Sequence, residues 1–117
     1  TYHPFISVDE IRERVEYDII KYGANVEIIA ELIEVMAETY SVTSKEIRIG
    51  GTKYAADFVK SRLDKITSEH ITDVAYKIAN CNSKVKMTKN YMLRLLFDSP
   101  ATMMSEVAIT YHQNNYQ

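Results

Sequence analysis

The pattern of apolar and polar positions along the 117-residue chain is mostly helical. Its clearest period lies between Val26 and Tyr40, where glutamates recur at intervals of four, three and four residues. All the remaining positions from Val26 to Ala37 are apolar. A helix with so narrow a polar stripe is buried over most of its circumference, which predicts a central core helix. We interpret the stripe as a solvent-exposed face formed by Glu27, Glu31, Glu34 and Glu38.

Further helices are predicted on both sides of the core helix. Ser7 followed by Glu10 is a capping-box signal, and the helix that it starts should continue to Tyr22. In a later helix we expect Phe58 to point inward and Lys60 outward. Ser99-Pro100 should end the helix that begins near Thr88, because proline cannot continue the backbone hydrogen bonds. These later helices are predicted over residues 55–66, 68–79, 88–99 and 101–112.

A short β-hairpin is predicted near residues 46–54. Gly50-Gly51 lies between two β-like runs, and a two-residue hairpin turn needs a positive φ at both central positions. This register pairs Arg48 with Lys53 on the outer face and turns Ile47, Ile49 and Tyr54 toward the core. Two like charges side by side are tolerable in water, and they are also the arrangement that a visiting anion would stabilise.

The fold class expected from these elements is mostly α, with about six helices and one short hairpin in a single domain spanning 1–117. Apolar residues at 46% and charged residues at 26% are ordinary globular values. No apolar run approaches the length of a membrane-spanning helix, and no signal peptide is recognisable. Because the chain begins at Thr1, we expect it to be part of a longer protein, with a frayed tail at about 113–117.

The net charge of −2 conceals a difference between the two parts of the chain. Residues 1–40 carry three Lys or Arg against nine Asp or Glu, whereas residues 41–117 carry eleven against seven. From Ala75 through Phe97 there is no acidic residue. Such an asymmetry is either two solvated faces that differ or a hint of a charged partner.

The sequence offers no recognisable catalytic or metal-binding arrangement. His3, His70 and His112 are far apart and stand in no ligand spacing with Cys81. The single cysteine excludes an internal disulfide and is typical of a reducing cytoplasm. We therefore expect a cytoplasmic protein that is not an enzyme and holds no metal and no cofactor.

Cations interleaved with an aromatic ring are the best candidate binding residues. Positive charges neutralise phosphates, and the Tyr91 ring could stack on a base. Tyr91 with Leu95 four residues later also fits a core or half-buried stripe, so both interpretations stay open. The candidate residues for nucleic-acid or partner binding are Lys84, Lys86, Lys89, Tyr91 and Arg94, with Arg48 and Lys53 of the hairpin.

The ordered set EYDII, EIIAELIEVMAETY, EIRIGGTKYAADFVKSRLDKITSEHI and KVKMTKNYMLRLLFDSPAT resembles the C-terminal domain of replication initiator protein A (RepA). These initiators come from plasmids and integrative elements of Firmicutes, and the resemblance covers about Val8 to Tyr111. It implies that the full protein carries an N-terminal winged-helix domain that binds iterons. This domain would then be similar to the helical domain of the primosome protein DnaD. The DnaD motif is matched by Tyr91 and Leu95, but Asp98 stands in place of its Trp.

The function that the resemblance implies is recruitment of a host replication protein, either primase or a helicase loader. The first alternative is direct DNA binding through the basic stretch 84–94, because DnaD itself binds DNA. The second alternative is a self-association module that uses the apolar helix predicted over 101–112. No membrane contact is expected.

Overall fold

The computed structural model describes residues 6–81 and 87–101. Within these residues it contains six helices and one two-stranded antiparallel hairpin, which confirms the predicted mostly α fold. Most of the basic stretch before Lys89, the helix predicted over 101–112 except for Ala101, and the tail at 113–117 lie outside the described residues. The elements are α1 (Val8–Arg14), α2 (Tyr17–Ile20), α3 (Val26–Tyr40), β1 (Glu46–Ile49), β2 (Thr52–Ala55), α4 (Ala56–Leu63), α5 (Ser68–Ala79) and α6 (89–101).

Helix α3 is the centre of the core, as its pattern predicts. It packs against α1, α4 and α5, and the side chains of Leu32 and Met36 are fully buried. All four glutamates of the stripe are exposed. No helix in the described ranges is long and apolar enough to cross a membrane.

The first predicted helix is in fact two helices. Ser7 caps α1 as expected, with its side chain accepting a hydrogen bond from the backbone N–H of Glu10 at 3.2 Å. The chain then turns at Glu16, whose φ of 57° is left-handed, before α2 begins. This turn lets Val15 at the end of α1 and Tyr17 at the start of α2 both pack on the core, which one continuous helix would not allow. The prediction of a single helix was wrong because it ignored this change of phase.

The hairpin has the predicted register, with Ile49 opposite Thr52, Arg48 opposite Lys53 and Ile47 opposite Tyr54. Gly50 and Gly51 have φ values of 59° and 86°, the left-handed conformations that the turn requires. Ile47 and Ile49 are buried, and Tyr54 packs on the core from a half-buried position.

Helix α4 differs from the predicted orientation at Phe58 and Lys60. Its inward face consists of Ala56, Val59, Lys60 and Leu63, at the spacing of one helical stripe. Lys60 is buried rather than exposed, because its Nζ donates to the carbonyl of Val42 at 2.7 Å while its methylenes line the core. Phe58, predicted to point inward, is 47% exposed and instead contacts the rings of neighbouring aromatic residues.

Helices α5 and α6 begin close to the predicted positions, and each is preceded by a threonine. Thr67 precedes α5, and its backbone N–H donates to Nδ1 of His70 at 3.0 Å. Thr88 precedes α6, and its hydroxyl accepts from the backbone N–H of Tyr91 at 3.1 Å. The predicted end at Ser99-Pro100 is wrong, because the helix continues through both residues to residue 101. Pro100 is buried, so its packing offsets the backbone hydrogen bond that proline cannot make.

A hydrogen-bonded group joins α1, α3 and the end of α4. The Tyr40 hydroxyl accepts from Arg14 Nη1 at 2.8 Å and donates to Asp64 Oδ1 at 2.6 Å. Burial is the main cause that raises the pKa of Tyr40, and the hydrogen bond to Asp64 acts in the same direction. Arg14 opposes this shift. Tyr40 is therefore held in its neutral form as a buried link between three helices.

Candidate binding surface around helix α6

The first turn of α6 holds the tip of the hairpin. Asn90 Nδ2 donates to the carbonyl of Arg48 at 3.0 Å, and Asn90 Oδ1 accepts a longer hydrogen bond from the backbone N–H of Gly50 at 3.4 Å. One amide side chain therefore satisfies backbone groups on both sides of Ile49. Because an isolated two-stranded hairpin is marginally stable, this contact helps to fix its position.

Arg94 extends this contact one turn further along α6. A β-carbon added at Gly50 would lie 3.4 Å from Arg94 Cδ, so the aliphatic part of the arginine rests against the glycine turn. Its Nε lies 3.9 Å from Asp98 Oδ2, four residues later on the same helix. The charge of Arg94 is thus positioned beside the turn and partly balanced by a carboxylate.

Lys89 is matched by an acidic residue on another helix. Its Nζ donates to Glu38 Oε1 at 2.9 Å, which joins the first turn of α6 to the last turn of α3. This hydrogen bond is the main cause that raises the pKa of Lys89, and the charges of Glu38, Glu34 and Glu31 act in the same direction. The glutamate stripe of α3 therefore offsets part of the positive charge that the sequence predicts for this surface.

Arg48 and Lys53 are the two predicted cations that no carboxylate balances in the described part of the chain. They lie opposite each other on the exposed face of the hairpin. Nη1 of Arg48 donates to the carbonyl of Gly51 at 3.2 Å, which directs the guanidinium toward the turn. The Arg48 charge therefore lies near the turn against which Arg94 also rests.

Tyr91 is 39% exposed, so its ring is partly covered and still reachable from solvent. It precedes Arg94 by three residues, which places the two side chains at neighbouring positions on α6. The structure thus places Arg48, Lys53 and Arg94 around the hairpin, with Lys89 and Tyr91 on different sides of α6. Lys84 and Lys86 lie outside the described residues. We call the set Arg48, Lys53, Lys89, Tyr91 and Arg94 the hairpin–α6 surface.

Sequence reasoning missed an apolar notch beside this surface. It lies between α3, β1 and α6, has a volume of about 210 Å³, and is lined by Val35, Glu38, Thr39, Val42, Ile47, Lys89, Asn90 and Leu93. Val35 and Ile47 belong to apolar faces that the sequence assigned to the core. They line a notch only because α3, β1 and α6 lie next to one another in the fold. The pattern of residues along the chain does not show this arrangement.

A second exposed feature lies around α2 and α5. Ile19, Tyr22 and Tyr76 are 70%, 83% and 61% exposed, although each is large and apolar or aromatic. The helices that carry Ile19 and Tyr76 pack against each other.

Replacing Asn90 with Ala should lower the free energy of unfolding by about 1 kcal/mol, because two hydrogen bonds to the hairpin backbone are lost at an exposed site. Amide hydrogen exchange should become faster across residues 46–55 in particular. Asn80→Ala is the matched control, since Asn80 Nδ2 contacts only a carbonyl of its own helix, that of Tyr76. Equal exchange rates in the hairpin for both variants would show that Asn90 does not hold it.

Among residues 6–81 and 87–101, no group of three His, Cys, Asp or Glu side chains could hold a metal ion. The fold defines a small, mostly helical domain whose β-hairpin is held by a helix distant in sequence. The chain belongs to a family of unknown function, DUF6017, whose model matches residues 6–114. No curated protein and no solved structure matches the chain.

Proposed function

We propose that this domain is the accessory domain of a plasmid or mobile-element replication initiator and acts by binding a host replication protein, primase or helicase loader. The role in replication rests on the ordered resemblance between about Val8 and Tyr111. The protein nature of the partner rests on the charge pattern of the hairpin–α6 surface.

That charge pattern is mixed rather than uniformly positive, and this observation carries the proposal. Lys89 meets Glu38 at 2.9 Å, and Arg94 lies 3.9 Å from Asp98. A surface of alternating sign, next to an apolar notch, is suited to a protein with its own mixture of charged and apolar groups. A phosphate backbone would instead favour an unbalanced positive surface.

The exposed residues of α2 and α5 add a second argument for a protein partner. Tyr22 and Tyr76 are aromatic, and aromatic side chains are enriched at protein interfaces.

The test uses the immobilised domain with purified host primase and, separately, purified helicase loader. We expect saturable binding of one of them, weakened about tenfold by the double variant Lys89→Glu, Arg94→Glu, because both changes reverse charges on the contact surface. Lys65→Glu is the matched control, since Lys65 is exposed after α4. Absence of saturable binding to both proteins would refute the recruitment function.

Direct DNA binding is the second candidate, and the pair Arg48–Lys53 favours it. These cations lie side by side without a carboxylate partner among the residues that the structure describes, and Arg94 adds a third positive charge at the same turn. Tyr91 is exposed on the same helix as Arg94. A short anionic backbone could contact this edge without crossing the glutamate stripe.

Salt dependence decides the DNA candidate. Binding of labelled single- and double-stranded DNA should weaken steeply as salt rises, and each phosphate-contacting cation removed should reduce the logarithmic slope by about one. Arg48→Ala and Lys53→Ala are the informative variants, with Lys65→Ala as the control. If no salt-sensitive binding occurs with tens of micromolar domain, the domain does not bind DNA.

A further inference from the structure

The notch beside the hairpin–α6 surface has the size of a single side chain. Its volume is about 210 Å³. A cavity of about 150 Å³ in another protein holds a benzene molecule, so one branched aliphatic or aromatic group fits here. Val35, Val42, Ile47 and Leu93 supply apolar walls from three different elements.

The rim of the notch carries one charge of each sign. Glu38 lies on the α3 wall and Lys89 on the α6 wall, and their charged atoms meet at 2.9 Å. The two side chains are 56% and 74% exposed, so water screens the pair and it contributes little to stability. A partner with an acidic and a basic group can therefore replace the ion pair between Glu38 and Lys89 by pairing with each of them, at a small cost in free energy.

The charges around the rim select the kind of partner. Glu31 and Glu34 continue the exposed stripe of α3 away from Glu38. A nucleic acid placed over the notch would bring its phosphates toward these carboxylates, which repel it. A polypeptide can place an acidic group toward Lys89 and a basic group toward Glu38.

We infer that the notch receives one apolar side chain of a partner protein, flanked in that protein by one acidic and one basic residue that pair with Lys89 and Glu38. This inference rests on the proposed recruitment of a replication protein, and it names the surface and the chemistry of the contact. The apolar side chain supplies the affinity, and the two charges fix its orientation.

Two variants of the domain test the contact with the replication protein. Val42→Phe fills the notch from a half-buried position, and Val26→Phe makes the same change at a half-buried valine at the opposite end of α3. The double variant Glu38→Lys, Lys89→Glu keeps an ion pair but exchanges the positions of its charges. We expect Val42→Phe and the exchanged pair to lower affinity about tenfold, and Val26→Phe to change it less than about twofold. Circular dichroism and thermal unfolding check that each variant is folded.

Wild-type-like affinity of both test variants would overturn the notch contact while leaving recruitment intact. If the wild-type domain binds neither primase nor helicase loader, recruitment is refuted, and a peptide titration then decides the notch by itself. The probes are capped peptides Glu-Ala-Leu-Ala-Lys and Lys-Ala-Leu-Ala-Glu, followed by amide chemical shifts of the labelled domain. One of the two peptides, at millimolar concentration, should change the amide chemical shifts of Val42, Asn90 and Leu93. The same peptide with its Leu replaced by Ala should not. Absence of any Leu-dependent shift would overturn the inference.

Discussion

Replacing Leu32 with Ala should lower the free energy of unfolding by about 3 kcal/mol, because it removes a fully buried side chain from the central helix and leaves a cavity. Neighbouring side chains from α1, α4 and α5 pack on α3 and cannot all move into the space. Chemical denaturation followed by circular dichroism measures the change. A domain of this size has little stability to spare, so the loss should also be visible as a much lower Tm.

Glu31→Ala is the matched control for Leu32→Ala. Glu31 adjoins Leu32 in sequence but lies on the exposed stripe, and alanine is a good helix former. Its free energy of unfolding should change by less than about 0.5 kcal/mol. Similar losses for the two variants would contradict the burial pattern of α3.

Replacing Tyr40 with Phe should lower the free energy of unfolding by about 2 kcal/mol at neutral pH. The ring remains, but the hydroxyl that accepts from Arg14 and donates to Asp64 is lost, and hydrogen bonds to charged groups are the stronger ones. Tyr17→Phe is the control, since Tyr17 is half-buried and forms part of the same core. A loss no larger than that of the control would show that the hydroxyl links are unimportant.

The Tyr40 contribution should also depend on pH. Because burial raises the pKa of Tyr40 in the folded protein, the unfolded chain releases its phenolic proton first as pH rises above about 10. The stabilisation is therefore complete below that pH and is lost above it, by up to about 1.4 kcal/mol per pH unit. Stability measured between pH 8 and pH 11 should fall less steeply for Tyr40→Phe than for the wild type. Parallel curves of stability against pH for the two proteins would show that the pKa of Tyr40 is not raised by folding.

Local chemistry explains which parts of the fold could be predicted. The limits of α3 follow from an uninterrupted period of 3.6, and the hairpin register follows from two glycines that accept positive φ values of 59° and 86°. The cap at Ser7 is a side-chain signal that acts within three residues. Each of these features is decided by neighbours in sequence, so each was recognised correctly.

The incorrect predictions concern contacts between distant elements. Lys60 is buried because a carbonyl 18 residues earlier accepts its hydrogen bond, and polarity alone predicts the opposite. Pro100 remains helical because of its packing, and the turn at Glu16 serves the joint burial of Val15 and Tyr17. None of these effects can be read from periodicity.

The candidate surface was predicted in part. The sequence identified its cations and left open whether Tyr91 is exposed, whereas the pairing of Lys89 with Glu38 joins residues 51 positions apart. The notch depends on the same meeting of α3, β1 and α6. Its walls are ordinary core residues, so only the assembled fold distinguishes them from the remaining core.

The two hydrogen bonds from Asn90 to the hairpin backbone have a consequence for the order of folding. The hairpin turn leaves the ribosome 40 residues before the side chain that holds it, so its strands can pair early but stay unanchored until α6 is synthesised. The α6 wall of the notch is synthesised together with Asn90. A nascent chain truncated before residue 89 therefore has neither a fixed hairpin nor a complete notch, and both features form together once α6 has been synthesised.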